Sequence, residues 1–166
     1  MKLIAETDAA NERRYQIAFD VITRSLGIEN MPQTVWLSFV SEPPELLSVR
    51  RGQVLRKKLG GSTNNTIVDG YVQMQINDHR STCGCAACRE EAERLDPIST
   101  FCHEMAHVKQ LVKGELRRTS AGMWWHGRFY RHADVPKYHD QPWEHEANRL
   151  QADLTPKVRA AIAAAT

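Results

Sequence analysis

Apolar residues recur at helical spacing in three segments, each bounded by residues that start or stop helices. The segment 5–26 ends before Gly27, and its apolar stripe is Tyr15, Ala18, Phe19, Ile22 and Leu26. The segment 97–113 has Asp96 as N-cap, Pro97 at the first helical position and Gly114 after its end, with the stripe Phe101, Met105, Val108 and Val112. The segment 142–154 opens with Pro142, and Trp143, Glu146, Ala147, Leu150 and Leu154 share one face. These patterns predict three helices, followed by an alanine-rich helix or frayed end over 156–166.

Strand patterns fill the region 34–77 between the first two helices. Val35, Leu37 and Phe39 alternate with polar neighbours, and the segment 66–77 has a second alternating pattern. The basic run 48–59 between them predicts a solvated strand or hairpin, in preference to a patch for nucleic acid or acidic substrates, because no aromatic residues interleave with its charges. Helices combined with a local sheet predict the α+β class.

Length and composition narrow the class of protein further. A chain of 166 residues predicts one domain, 1–166, and a formal net charge of +2 does not indicate a nucleic-acid partner. There is no long apolar run for a membrane span, and the first residues turn acidic too early for a signal peptide, so we expect a cytoplasmic protein. In that compartment, the four cysteines are expected to be free thiols or metal ligands rather than disulfides.

The central helix carries the motif His-Glu-x-x-His, formed by His103, Glu104 and His107. Imidazoles at positions i and i+4 lie one turn apart and can bind one Zn²⁺, while the glutamate between them serves as general base. The alternative is a polar surface stripe, but the apolar back of this helix favours a buried cleft on the motif side. The sequence therefore predicts a zinc hydrolase site.

A catalytic zinc usually has three protein ligands, so one more must come from elsewhere in the chain. The start of the helix 142–154 supplies three candidates. Glu146 is predicted because it shares the apolar face with Trp143; Glu144 is the reserve and His145 a weaker third. The alternative is that all three are exposed residues of the first turn.

Two further groups of residues have chemical potential. Aromatic and imidazole side chains between the two helices are candidates for stabilising a developing oxyanion: His126, Tyr130, Tyr138 and His139. The run Cys83, Cys85 and Cys88, with Cys102 or His79 as fourth ligand, is a candidate structural zinc site, and an iron–sulfur cluster is a more distant option. Reduced thiols in a loop are favoured over a metal, because this spacing is less diagnostic than paired C-x-x-C knuckles.

Three pieces of sequence together resemble a known group: the segment 103–110, the pattern Trp125-x-Gly127-x-x-Tyr130, and the segment 142–147. They are similar to the small HExxH metallopeptidases of phages and their hosts, and Glu144-x-Glu146-Ala147-Asn148 also resembles the gluzincin-like ImmA/IrrE peptidases. The resemblance covers the C-terminal third well and the rest only by element order. It implies a minimal zincin-like fold, in which a small antiparallel sheet packs on the motif helix and a second helix brings in Glu146. SprT-like proteases are a further relative, but they use a third histidine.

The expected function is that of a zinc-dependent metallopeptidase acting on a peptide or protein substrate. His103, His107 and Glu146 would hold Zn²⁺ and Glu104 would act as general base. One alternative is a zinc-binding regulatory or interaction module with a peptidase-like fold. A less favoured alternative is a DNA-associated protease, for which the basic run near 50–58 is the only support. The sequence predicts no oligomeric state.

Overall fold

Three long helices and a four-stranded sheet enclose the main core in the computed structural model, which describes residues 1–40, 46–50, 53–56, 61–63, 67–77 and 96–166. The helices are α1 (Ala9–Leu26), α2 (Pro97–Val112) and α3 (Pro142–Ala164). The strands are β1 (Lys2–Ala5), β2 (Thr34–Val40), β3 (Leu46–Arg50), β4 (Gln53–Arg56), β5 (Gly61–Thr63), β6 (Tyr71–Asn77), β7 (Leu116–Thr119), β8 (Gly122–Trp125) and β9 (Arg128–Arg131). Short 3₁₀ turns span His132–Asp134 and Tyr138–Asp140. This mixture of helix and small sheets confirms the α+β class.

The main sheet has the order β1-β2-β6-β5. β1 pairs with β2 and β2 with β6 in parallel, and only β5 runs antiparallel to its neighbour. The prediction of an antiparallel sheet is therefore wrong for the main sheet. β1 has only four residues and was not predicted. Because β1 precedes α1, the helix connects β1 to β2 as a crossover, and such a crossover lets the two strands run parallel.

Two smaller sheets are antiparallel. β3 and β4 pair within the basic run, where a strand or hairpin was predicted. β7, β8 and β9 form a three-stranded sheet between α2 and α3. The turn from β8 to β9 contains His126 and Gly127, both with positive φ (45° and 79°), as a tight two-residue hairpin turn requires.

The caps of α1 and α2 follow the sequence signals. Asp8 and Asp96 each accept a hydrogen bond from the backbone N–H three residues ahead, at 2.9 Å, and Pro97 occupies the first turn of α2. Gly27 ends α1 in the left-handed conformation, with φ 62°. α1 begins at Ala9 rather than residue 5, because β1 precedes it.

α3 extends to Ala164, ten residues beyond the predicted end at 154, and contains Pro156. Leu154 and Val158 on either side of Pro156 are buried in the main core, so tertiary packing offsets the backbone hydrogen bond that proline removes. No helix in the described part of the chain is long and apolar enough to cross a membrane.

The motif helix α2 lies between the sheet and α3, in contact with β5, β6 and α3. Its predicted apolar stripe is confirmed at Phe101, Met105 and Val108, which are fully buried. A second, smaller core cluster of Leu116, Met123 and Trp143 connects the β7–β9 sheet to the start of α3. The two cores hold α2 and the first turn of α3 side by side.

Candidate metal centre

His103 and His107 project from α2 toward Glu144 in the first turn of α3. Glu144 Oε2 lies 3.4 Å from His103 Nε2, and Glu144 Oε1 lies 3.5 Å from His107 Nε2. One donor atom from each of the three residues lies within 4.8 Å of the other two. Two imidazole nitrogens and a carboxylate therefore converge on one point between the helices.

The spacing of these donors fits a zinc ion. Ligands about 2.0–2.1 Å from a tetrahedral Zn²⁺ are about 3.3 Å from one another, close to the separations of Glu144 from the two imidazoles. Glu144 is 7% exposed, and its Oε2 accepts no well-aligned hydrogen bond within the described part of the chain. A buried carboxylate oxygen that accepts no well-aligned hydrogen bond is costly, and a cation bound between these groups would remove that cost.

Glu146, the predicted third ligand, does not face the two histidines. It accepts hydrogen bonds from Lys109 Nζ and Gln110 Nε2, both at 3.0 Å. Successive residues of a helix are rotated by about 100°, so Glu144 and Glu146 lie on opposite flanks of the buried face of α3. Helical phase identified that buried face but not the flank that faces His103 and His107, and the reserve residue Glu144 is the one next to these imidazoles.

Each histidine has its second ring nitrogen on a glutamine, a feature that the sequence analysis did not identify. His107 Nδ1 is 2.9 Å from Gln110 Oε1, and His103 Nδ1 is 3.1 Å from Gln151 Oε1. Because an amide oxygen only accepts, both contacts require Nδ1–H, so in the neutral imidazole Nε2 is unprotonated and directed toward Glu144. For Gln110 the sequence did contain a signal, because its helical spacing places it on the same face as His103 and His107. Gln151 follows Glu144 by seven residues and so lies on the same side of α3, and that spacing was the signal for it.

Both glutamines are themselves held in place by their amide N–H groups. Gln110 Nε2 donates to the Trp143 carbonyl oxygen at 2.9 Å and to Glu146, while Gln151 Nε2 donates to Ser99 Oγ at 2.7 Å. These donor contacts determine which end of each amide faces its histidine. Glu146 thus acts one step away from the imidazoles, by orienting Gln110.

Replacing Gln151 by Ala is expected to weaken zinc binding by about 10- to 100-fold, because His103 loses the group that fixes its ring. Gln151→Glu keeps an acceptor oxygen at that position and is expected to retain most of the affinity. Competition with a chromophoric chelator measures the affinity, and Gln16→Ala, which removes an exposed glutamine of α1 bonded to Asp20, is the matched control. Equal affinities in Gln151→Ala and wild type would contradict the orienting role.

Glu104 is buried, with 5% exposure, and has its own orienting residue. Thr63, on the edge strand β5, donates a hydrogen bond from Oγ1 to Glu104 Oε2 at 2.7 Å. The contact occupies one carboxylate oxygen and leaves Oε1 for a reacting proton. A three-residue edge strand carries no periodic signal, so the sequence did not predict β5 or the position of Thr63.

Electrostatics at the centre favour an ionised Glu144. Burial alone would raise the pKa of this carboxyl, but interactions with His103, His107 and Tyr138 outweigh burial and hold the pKa well below its usual range. Burial opposes charge on His107 as well, and Glu144, Glu104 and Gln110 together raise the pKa of its imidazole above the ordinary value. Burial and the hydrogen bond to Glu144 raise the pKa of Tyr138, so its hydroxyl stays protonated at neutral pH.

Of the candidate oxyanion stabilisers, only Tyr138 contacts one of the three converging residues. Tyr130 packs edge-on against Trp143, with ring centroids 5.8 Å apart. His126 lies at the hairpin turn near Glu115 and Glu146. The ring of His139 packs against the ring of Tyr138. The backbone carbonyl oxygen of His139 lies 2.6 Å from Nε2 of His145, and His145 is exposed.

The proposed cysteine site falls largely outside the described residues, since these do not include Cys83, Cys85, Cys88 or His79. Cys102 is fully buried in the main core, between Phe101 and the motif histidine His103. Burial raises the pKa of its thiol to about 11, so the thiol is protonated at neutral pH. Cys102 is therefore part of the apolar packing behind α2.

No protein-family model, curated protein or solved structure matches this chain. The resemblance to small HExxH peptidases thus remains a prediction from sequence motifs. The case for a metal centre rests on the geometry of His103, His107 and Glu144.

Proposed function

We propose that this protein is a zinc-dependent metallopeptidase, with His103, His107 and Glu144 holding the metal and Glu104 acting as general base. The observation that supports the proposal most is the convergence of Glu144 on the two imidazoles of a His-Glu-x-x-His helix, at 3.4 and 3.5 Å. That set of two nitrogens and one carboxylate oxygen is typical of zinc peptidases, in which a fourth position stays open.

When bound, Zn²⁺ would polarise the scissile carbonyl and lower the pKa of the attacking water. The residues of the chain supply the remaining steps. Glu104 accepts a proton from that water at Oε1, while Thr63 donates a hydrogen bond to Oε2. The protonated Glu104 then donates this proton to the amine nitrogen as the peptide bond breaks. Gln110 and Gln151 accept hydrogen bonds from Nδ1–H of the two imidazoles, so that Nε2 of each neutral ring is the nitrogen that can bind the metal.

Metal content and peptide hydrolysis should be measured together on the purified full chain. We expect about one zinc ion at this centre in each chain, and cleavage of unfolded protein or of a mixed peptide library. A chelator should abolish the cleavage, and added Zn²⁺ should restore it. A zinc-loaded protein that cleaves no peptide would favour a binding or regulatory module. A protein that binds no zinc at this centre would overturn the proposal.

Thr63→Val is expected to lower kcat by about 10- to 100-fold while leaving zinc content unchanged, because a hydrogen bond to a charged group contributes on the order of 1.5–3 kcal/mol. Valine keeps the shape of threonine and removes only the donor to Glu104. Thr119→Val, which removes a hydroxyl bonded to the Gly122 carbonyl oxygen in the β7–β9 sheet, is the matched control. Steady-state kinetics on one fluorogenic peptide compare the variants, and an unchanged kcat in Thr63→Val would contradict the role of Thr63.

A further inference from the structure

A cleft of about 380 Å³ opens directly beside Glu144, between the β7–β9 sheet and the start of α3. Met123, Val135 and Trp143 form its apolar walls, and Glu144 is one of its polar lining residues. The volume is in the range of small-ligand sites, which are about 300–1,000 Å³. A group bound in this cleft would lie next to the candidate metal centre.

Arg118 is the cationic side chain of this cleft without a partner among the described residues. It pairs with Met123 across β7 and β8, and Met123 pairs with Tyr130, so Arg118 shares the sheet face that packs on Trp143. No hydrogen bond or ion pair of its guanidinium occurs within the described part of the chain. The neighbouring Arg117 is on the opposite face, with its guanidinium 5.6 Å from the centre of the Trp124 ring.

The other polar groups of the cleft already have partners. His132 Nε2 is 3.1 Å from the Ser120 carbonyl oxygen, and Gln141 Nε2 donates to the Pro136 carbonyl oxygen at 3.0 Å. The Tyr138 hydroxyl interacts with Glu144, whose carboxylate is directed at the two imidazoles. The guanidinium is therefore the charged donor that remains for a ligand, and its planar fork matches a carboxylate.

Building on the function proposed above, we infer that this cleft binds a substrate carboxylate through Arg118, close to the scissile bond. The substrate class is peptides that place either an acidic side chain or the free C-terminal carboxylate in this position. The apolar walls accommodate the methylene groups that carry the carboxylate, and Arg118 pairs with its oxygens. Preference for such peptides would thus come from the β7–β9 sheet and not from the metal ligands.

Binding is tested by titrating the zinc-loaded protein with three small probes and following the Trp143 indole and Arg118 guanidinium NMR signals. N-acetylglutamate α-amide carries only a side-chain carboxylate, N-acetylglutamine only a C-terminal one, and N-acetylglutaminamide neither. We expect at least one carboxylate probe to bind about tenfold more tightly than the neutral probe, and the tighter of the two to identify the source of the carboxylate. Equal binding of all three would overturn the inference.

Arg118→Ala is expected to remove that tenfold preference, and Arg117→Ala, the same change one residue earlier on the opposite face, is expected to retain it. If the carboxylate instead binds directly to zinc, the tenfold preference would persist in Arg118→Ala, and that result would overturn the inference. In a peptide library, cleavage without any preference for carboxylates would also count against Arg118. Failure to bind zinc or to cleave any peptide would instead count against the proposed function, so the two failures are distinguishable.

Discussion

Glu104→Gln is expected to lower kcat/KM for peptide hydrolysis by about 100- to 10,000-fold and to leave zinc content unchanged. The amide keeps the size of the side chain and an oxygen acceptor for Thr63, but it has no carboxylate to accept a proton from water. Glu104 is not among the three residues whose donor atoms converge, so its loss should not release the metal. The proton transfer fails while the site remains assembled.

Kinetics on one fluorogenic peptide, with metal analysis of the same preparations, test this expectation. Glu115→Gln is the control, since it makes the same chemical change at a carboxylate that is paired with Lys109 and is not among the groups that converge with His103 and His107. Full activity in Glu104→Gln would contradict the general-base role. Loss of zinc from Glu104→Gln would show that Glu104 supports metal binding instead.

Glu144→Ala is expected to reduce zinc affinity by more than 100-fold, beyond the 10- to 100-fold typical of losing a residue that only orients a ligand. The change removes a carboxylate that faces both imidazoles. Peptide hydrolysis should disappear with the metal. Because Glu144 is buried, circular dichroism and thermal unfolding of the variant should accompany the metal analysis, to show that the fold persists.

Glu146→Ala is the matched control, on the same helix and two residues away. It leaves Glu144 in place and removes a partner of Lys109 and Gln110, so we expect a loss of affinity no greater than about 10- to 100-fold. The reverse result, with zinc lost from Glu146→Ala and retained by Glu144→Ala, would restore the assignment made from helical phase and contradict the geometry of the structure.

Local sequence signals predicted the elements that carry the site. Asp96, Pro97 and the apolar stripe of α2 defined the motif helix to within one residue of its observed end, because caps and helical periodicity depend on neighbouring residues only. Pro142 identified the start of α3 in the same way. In contrast, β1 and β5 are short strands whose pairing depends on distant partners, so the parallel arrangement of the main sheet was not predictable from local pattern.

The sequence by itself determined that two histidines and a glutamate lie on one turn of a helix with an apolar back, because i, i+4 spacing fixes their relative directions. It also predicted that a third metal ligand would come from another segment. Only the tertiary structure decided between Glu144 and Glu146, because the packing of α3 on α2 selects one flank of a helix that presents both. Tertiary packing also brings Thr63, Gln151 and Arg118 to the site and its cleft from three different elements, and no pattern along the chain encodes those distances.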